Sequence, residues 1–388
     1  MTTFDNARNF SVGIAPLSVA IDDLDGDGNL DIVTANVASD DVSVLFGDGN
    51  GGFAPPANFE VGRGPNSVVV DDFDGDGNTD LVTANAIDGN VSVLLGDGNG
   101  GFAPQSTFDV GSFPLSVAIG DFDGDGNLDL VTANTADDTL SVLLGNGNGE
   151  FEPQATFDVG DFPESVAVAD FDGDGNADIV AVNLGDSTLE GGVRDNTVSV
   201  LLGDGRGGFA PQATFDIGRN SEFVTVADLD GDGNTDILTV SSFDDTVSVL
   251  FGNGNGGFAP QATFNVGDNP QSVTVGDVDN DGNTDIVTAN GVGDNVSVLL
   301  GDGNGGFAPQ VTFAVGDSPD SVAVADLDGD GDLDIVTAND RSKDVSVLLN
   351  QAFIRGDDNN NTLNGDANDN QIFGEGGNDF LQGGAGDD

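Results

Sequence analysis

Cysteine, histidine, tryptophan and tyrosine are all absent from this chain of 388 residues. Their absence excludes disulfides, Cys/His zinc sites, haem ligation through either residue, and Ser-His or Cys-His nucleophile pairs. The most usual general base goes with them. Cationic side chains are almost as scarce, with 8 Lys and Arg against 69 Asp and Glu, for a formal net charge of -61. Phosphate contacts need clustered Lys and Arg, so this is no nucleic-acid binder. An anionic membrane surface would repel it for the same reason. No apolar run approaches the roughly 18 residues that a membrane helix needs. The first residues, MTTFDNARNFSVG, have no basic stretch followed by an apolar one, so the sequence predicts no secretory signal peptide.

What is present in excess is glycine and aspartate. Glycine alone accounts for 60 residues, about twice the usual share, which implies many tight turns. With 37% hydrophobic residues the chain has enough apolar surface to fold. So many carboxylates with so few cations imply counter-ions from outside. For hard oxygen ligands these are Ca²⁺ or Mg²⁺.

Internal repetition sets the fold. Segments of form D-x-D-x-D-G-x-x-D begin at Asp23, Asp72, Asp121, Asp170, Asp228, Asp277 and Asp326, at intervals of 49, 49, 49, 58, 49 and 49 residues; the sixth has Asn280 in place of its first glycine. The long interval places an insertion within Leu184–Thr197. Inside one unit, SVAIG, LVTAN, TLSVLLG and TFDVG are short apolar runs rich in Val, Ile and Leu, bounded by Gly, Asn, Asp and Pro. No helical period occurs. Four antiparallel strands per unit, repeated seven times, predict an all-β, seven-bladed β-propeller.

The two ends of the array fit together. Phe53 and Phe59 mark the turn and fourth strand of one unit, and 49 residues earlier stand Phe4 and Phe10. The chain therefore begins with a fourth strand lacking its first three. The seventh unit keeps three strands, to Val345–Leu349, and then loses the pattern. The N-terminal strand is predicted to complete the last blade, which removes the open edges that would aggregate.

These residues carry a resemblance. DFDGDGNLDLVTAN, a Val-rich strand and a G-x-G-x-G-x-F turn resemble the FG-GAP/VCBS repeat, whose units form propellers related to the head of integrin α chains. The resemblance implies a calcium-loaded extracellular propeller used for recognition or as a scaffold.

Each Asp-rich loop offers side-chain oxygens at positions 1, 3, 5 and 9, a backbone carbonyl at position 7, and glycine at 6 for the sharp turn. The candidate ligands are Asp23, Asp25, Asp27, Asn29 and Asp31 in the first loop, and Asp72, Asp74, Asp76, Asn78 and Asp80 in the second. They are Asp121, Asp123, Asp125, Asn127 and Asp129 in the third, and Asp170, Asp172, Asp174, Asn176 and Asp178 in the fourth. The fifth has Asp228, Asp230, Asp232, Asn234 and Asp236, and the sixth Asp277, Asp279, Asp281, Asn283 and Asp285. The seventh has Asp326, Asp328, Asp330, Asp332 and Asp334. An oxygen-only cage of about six or seven ligands suits Ca²⁺ better than Mg²⁺. An EF-hand is excluded, because Thr34 stands where its bidentate Glu would be and the flanks are strands. Asp and Gly also favour plain turns. However, 29 acidic residues fill these positions where a turn would accept Asn or Ser. Close carboxylates repel by about a few kcal/mol per pair at intermediate dielectric.

From Ile354 the composition changes, and Gly356, Gly365, Gly374 and Gly383 step by nine. The pattern resembles the nonapeptide of RTX proteins, a calcium-binding β-roll, with Asp379 as a further candidate ligand. Asn361 and Asn370 replace the Asp in earlier copies, and the sequence stops mid-repeat. The organisation expected is therefore a propeller over 1–351 and a short RTX-like β-roll, or a flexible acidic tail, over 352–388. The RTX-like resemblance implies export from a Gram-negative-type bacterium by type I secretion, and the propeller resemblance agrees on an extracellular or cell-surface address.

The reading that follows is a secreted, monomeric, calcium-binding recognition, adhesion or scaffold module without enzymatic activity, with a protein or polysaccharide ligand. A calcium-dependent lectin is the alternative, although sugar sites generally stack on Trp or Tyr. A carboxylate glycosidase is a third, but no Asp/Glu pair breaks the repeat. The ligand is expected on the face opposite the Asp-rich loops. That face receives the insertion around Arg194 together with Arg63, Arg219, Arg341 and Lys343.

Overall fold

The computed structural model describes residues 4–185 and 196–350, and beyond them four short strands, Phe353–Arg355, Thr362–Asn364, Gln371–Phe373 and Phe380–Gln382. Arg194 and Asp379 lie outside the described residues.

The first blade shows why these residues form strands. Pro16–Asp22, Asp31–Asn36, Asp41–Leu45 and Ala57–Glu60 pair antiparallel in that order. The second strand, DIVTAN, is buried along its whole length, because blades stack on both of its faces. Its side chains alternate between those two neighbours. Ile32 packs with Leu327 and Val336 of the last blade, and Val33 with Val68 and Leu81 of the second. The apolar core is thus a ring of seven clusters, one between each pair of blades. The innermost strands follow one another around the axis, and Pro319–Ala325 packs against Pro16–Asp22 to close the circle.

Each interface also carries an edge-to-face phenylalanine pair. The fourth strand of one blade meets the turn of the next in Phe59–Phe102, with ring centroids 4.9 Å apart, and in Phe108–Phe151 at 5.3 Å. Such pairs contribute about 0.5–1.5 kcal/mol beyond the area they bury. The closing pairs use the N-terminus: Phe4 meets Phe313 at 5.0 Å, and Phe10 meets Phe53 at 5.3 Å. Arg8–Ser11 is the fourth strand of the last blade, pairing antiparallel with Asp344–Leu348. The expected closure by the N-terminal strand is what the structure has.

Every innermost strand opens with the same irregularity. The register with the second strand skips one residue between Pro16 and Ser18, and likewise between Pro65 and Ser67, Pro114 and Ser116, and onward around the ring. A β-bulge of this kind re-aims the side chain of the extra residue. Those residues are Leu17, Asn66, Leu115, Glu164, Glu222, Gln271 and Asp320. They lie at the end of the axis opposite the Asp-rich loops, because each innermost strand begins there and runs towards its loop.

A polar ladder threads the buried strands. Thr34 Oγ1 donates to Asn36 Oδ1 at 3.0 Å, Asn36 Nδ2 to Ser43 Oγ at 2.9 Å, and Ser43 Oγ to Asn58 Oδ1 at 3.0 Å. In the fourth blade Ala181 replaces the threonine, and Asn183 Oδ1 is buried without a partner. Ala181→Thr is therefore expected to stabilise the protein by about 1 kcal/mol, read as a higher denaturant midpoint. An unchanged or lower midpoint would mean that the ladder carries no such weight.

In the C-terminal region the described strands pair in parallel, Ile354 with Ile372 and Leu363 with Leu381.

Candidate metal centre and the opposite face

Each Asp-rich loop joins an innermost strand to its second strand, so all seven lie on one face. In the first loop, Asp23 Oδ1 accepts from Gly26 N at 2.8 Å and its Oδ2 from Gly28 N at 2.9 Å. This wrap requires left-handed backbone at both glycines, with φ of 73° and 89°. Asp31 is fully buried, and its two oxygens accept from Leu24 N at 2.9 Å and Gly47 N at 2.8 Å. It thereby fixes the loop to the turn after the third strand. The loops also join neighbouring blades: Gly149 N donates to Phe73 O at 3.1 Å, and Gly207 N to Phe122 O at 2.9 Å.

The structure brings three of the four candidate carboxylates of a loop close together. Ligand-capable atoms of Asp23, Asp25 and Asp27 lie within 4.8 Å of one another, as do those of Asp72, Asp74 and Asp76. In the third, fourth and fifth loops the close set takes position 9 in place of position 5, as in Asp121, Asp123 and Asp129. Positions 1 and 3 are common to all five. The side chain of Asn29 turns back to Asp27, its Nδ2 donating to Asp27 Oδ2 at 2.9 Å. Asn280 adopts φ 56°, as the glycine it replaces would. Its Nδ2 donates to Asp332 in the next blade's loop, so the sixth and seventh loops are joined through a side chain.

Electrostatically the clusters are unfinished. Burial pushes Asp31, Asp80, Asp129, Asp178, Asp236 and Asp285 up to about 6, against backbone hydrogen bonds that lower them. Asp334, the most enclosed, is pushed up to about 8. At position 3, burial and the neighbouring carboxylates raise Asp25, Asp279 and Asp328. Asp279 Oδ1 and Asp328 Oδ1 are buried without any hydrogen-bond partner. Orphaned carboxylate oxygens beside two or three further carboxylates form a donor set suited to a hard divalent cation, and the residues present fit calcium.

On the other face the structure departs from the electrostatic expectation. Arg63 is held by Asp88 at 2.7 Å, and Arg219 by Asp244, so neither is a spare cation. Large apolar side chains stand out there instead. Ile14, Ile87, Phe113, Phe162, Phe243 and Val292 are all exposed on the connections that approach this end. Arg219 lies 4.7 Å above the Phe243 ring. Phe113 and Phe162 have φ of 59° and 54°, where the equivalent positions carry Gly64, Asn220 and Asn269. The signal that could have exposed these residues is divergence between copies: their positions vary from blade to blade within a repeat that is otherwise regular.

The sequence profile of the FG-GAP-like repeat matches residues 23–83, 72–132, 121–181, 189–239, 228–288 and 277–337, and that of the FG-GAP repeat matches 162–201 and 318–360. No curated protein matches the chain. Among solved structures, BBS1N in complex with ARL6DN is similar at a TM-score of 0.61 and 12% identity, over 89% of this chain and 96% of that one. A streptogramin B lyase is similar at 0.60 and 12% identity, over 89% and 97%. A catalytically inactive virginiamycin B lyase from Staphylococcus aureus, with quinupristin, is similar at 0.60 and 11% identity, over 89% and 99%. At such identities the likeness is one of fold. One of these proteins is complexed with another protein and two are lyases, so the fold does not choose between binding and catalysis.

Proposed function

The chain belongs to the FG-GAP-like repeat family, and from that premise we propose that it is a calcium-loaded, non-enzymatic recognition module that docks a protein ligand on the face opposite its Asp-rich loops. The observation that carries the docking face is the pair Phe113 and Phe162. Both are bulky, 47% and 43% exposed, and held in the left-handed region. Strain of this kind costs about 1–3 kcal/mol per residue and collects at functional sites. Ala15, Gly64, Asn220, Asn269 and Ser318 serve the same turn in the other blades, so nothing in the turn calls for a bulky aromatic side chain. With Phe243, Ile14, Ile87 and Val292 they ring the axis with apolar contacts that suit a protein partner.

Calcium supports the same scaffold from the other side. Seven divalent ions would take the formal charge from -61 to -47, so the ligand is not an acidic polymer. A catalytic role finds no support in the loops, whose carboxylates repeat from blade to blade and are tied to backbone N–H groups. Parallel pairing of Ile354 with Ile372 and of Leu363 with Leu381 supports the RTX-like β-roll, and with it export by type I secretion to the exterior of a Gram-negative-type cell.

The test is an array of proteins and glycans probed with and without calcium, using the parent and a Phe113→Asn/Phe162→Asn variant. The variant should keep or raise the melting temperature while binding at least about ten-fold more weakly, a loss of about 1.4 kcal/mol or more. Unchanged binding would mean that the docking face is wrongly assigned, and hits only among glycans would replace the protein ligand with a lectin reading.

A further inference from the structure

The axis of the propeller ends, on the face opposite the Asp-rich loops, in a cavity of about 240 Å³. All seven innermost strands line it through the bulge residue, and all but the sixth also through the residue after it. The second of these positions is Ser in every blade but the fifth, where Phe223 stands. Those serines serve the fold: Ser18 Oγ accepts from Val68 N at 3.2 Å, and Ser116 Oγ from Val166 N at 3.2 Å, each joining one blade to the next. The bulge position serves no such repeated purpose. It is apolar at Leu17 and Leu115 and acidic at Glu164, Glu222 and Asp320, within repeats otherwise close to identical.

The acidic side of this rim is electrostatically incomplete. Asp320 Oδ2 is buried and has no hydrogen-bond partner. Burial pushes its carboxyl up to about 7; Asp340 and Glu222 add to the rise, and Arg341 opposes it. Ser272 Oγ, in the serine ring and 1% exposed, has no partner either. No Lys or Arg is among the described residues that line the cavity. A ring that only had to plug the axis could repeat Leu and Ser, and a buried carboxylate oxygen left without a hydrogen bond costs its desolvation.

We propose that this cavity binds an organic cation, an ammonium or guanidinium group on an aliphatic stem, with the charge held by Glu222 and Asp320 and the stem against Leu17, Leu115 and Phe223. The size and the mixed lining decide the class. A single metal ion would leave most of the volume empty and could not use the apolar arc. An anion would be repelled by Glu164, Glu222 and Asp320, with no cationic side chain among the described lining residues to offset them. An alkyl cation satisfies the orphaned oxygen and covers the leucines, and the Phe223 ring adds an aromatic wall. Free aliphatic amines carry this chemistry, and so do Lys and Arg side chains of a docked protein; only the second source rests on the docking face proposed above.

Isothermal titration of the calcium-loaded full chain with n-butylammonium, against n-butanol as the uncharged isostere, tests the site. One saturable site for n-butylammonium and none for n-butanol is expected. Asp320→Asn and Glu222→Gln should each weaken it ten-fold or more, and Leu115→Ser should weaken it as well. Asp109→Asn/Asp158→Asn, on exposed outer strands, should leave it unchanged. Calcium content and melting temperature, read on each variant, establish that it is folded. Equal binding by all variants, or uptake that never saturates and vanishes in salt, would reduce the effect to counter-ions around an acidic chain and overturn the proposal. N-acetyl-lysine methylamide supplies the second arm. Binding as tight as n-butylammonium assigns the site to a partner's side chain, and binding of n-butylammonium alone assigns it to free amines. Amine binding lost with array binding intact would sink this site and leave the docking face standing.

Discussion

Stripped of divalent cations by EGTA, the protein is expected to melt tens of degrees lower or to lose its cooperative transition, and added NaCl should restore only part of the loss. The reason lies in where the loops sit. Each ties an innermost strand to its second strand through a buried aspartate, as Asp31 does with Leu24 N and Gly47 N. Several also join consecutive blades through backbone bonds such as Gly149 N to Phe73 O. Uncompensated charge in seven such loops acts on every blade interface at once, and metal binding that neutralises it is coupled to folding. The pH response has a definite sign. Asp31 and its equivalents in the next five loops sit at about 6, and Asp334 at about 8, above the ordinary value of 3.8. A carboxyl raised on folding opposes the folded state once ionised: the cost is absent below about pH 4 and complete above the folded value. In chelator, stability should therefore rise as pH falls from about 8 towards 5. With calcium present it should fall over the same range, because protons compete for the ligands. A melt that EGTA leaves unmoved at neutral pH would refute the coupling.

Deleting residues 1–13 is expected to drive the protein into oligomers or aggregates larger than the parent species. The deletion removes the fourth strand of the last blade and exposes the backbone of Asp344–Leu348 as a free edge. It also removes Phe4 and Phe10, each half of an edge-to-face pair at a closing interface. The bond from Ser346 Oγ to Asn9 Oδ1 at 2.9 Å goes with them, leaving the seventh blade's polar ladder one rung short. Truncating one buried phenylalanine costs about 3–5 kcal/mol, and these two are only partly buried, so each contributes less. The loss of the strand adds to both. Size-exclusion chromatography and a thermal melt decide the matter: a species of the parent's size with the parent's melting temperature would mean that the ring closes another way.

The blade count, the strand order and the closure were legible because the repeat is a copying frame. Phe4 and Phe10 fall in register with Phe53 and Phe59, and that register alone assigns the N-terminal strand to the last blade. The clustering of aspartates in the loops was legible because their spacing is local in sequence. What escaped was set by contacts between copies. Thr34, Asn36 and Ser43 look like the polar face of a half-buried strand, yet all three are fully buried, because blades cover both sides of the sheet. Arg63 and Arg219 look like free cations until the fold brings Asp88 and Asp244, each 25 residues onward, against them. Phe113 and Phe162 share a residue type with the core phenylalanines of the repeat, but they stand at a position that varies between copies, and their exposure and left-handed backbone show only in the fold. The rim of the axial cavity is hidden for the same reason: its members lie one blade apart, and no local motif joins them.

The central claim is that the seven loops are cation sites and not merely acidic turns, and counting the ions tests it most directly. Metal analysis of protein ending at Asn350, dialysed against metal-free buffer after calcium loading, should return about seven calcium ions per chain, with magnesium failing to replace them at equal concentration. A result of two or fewer would contradict the account, and the loops would then be turns whose carboxylates serve only the backbone.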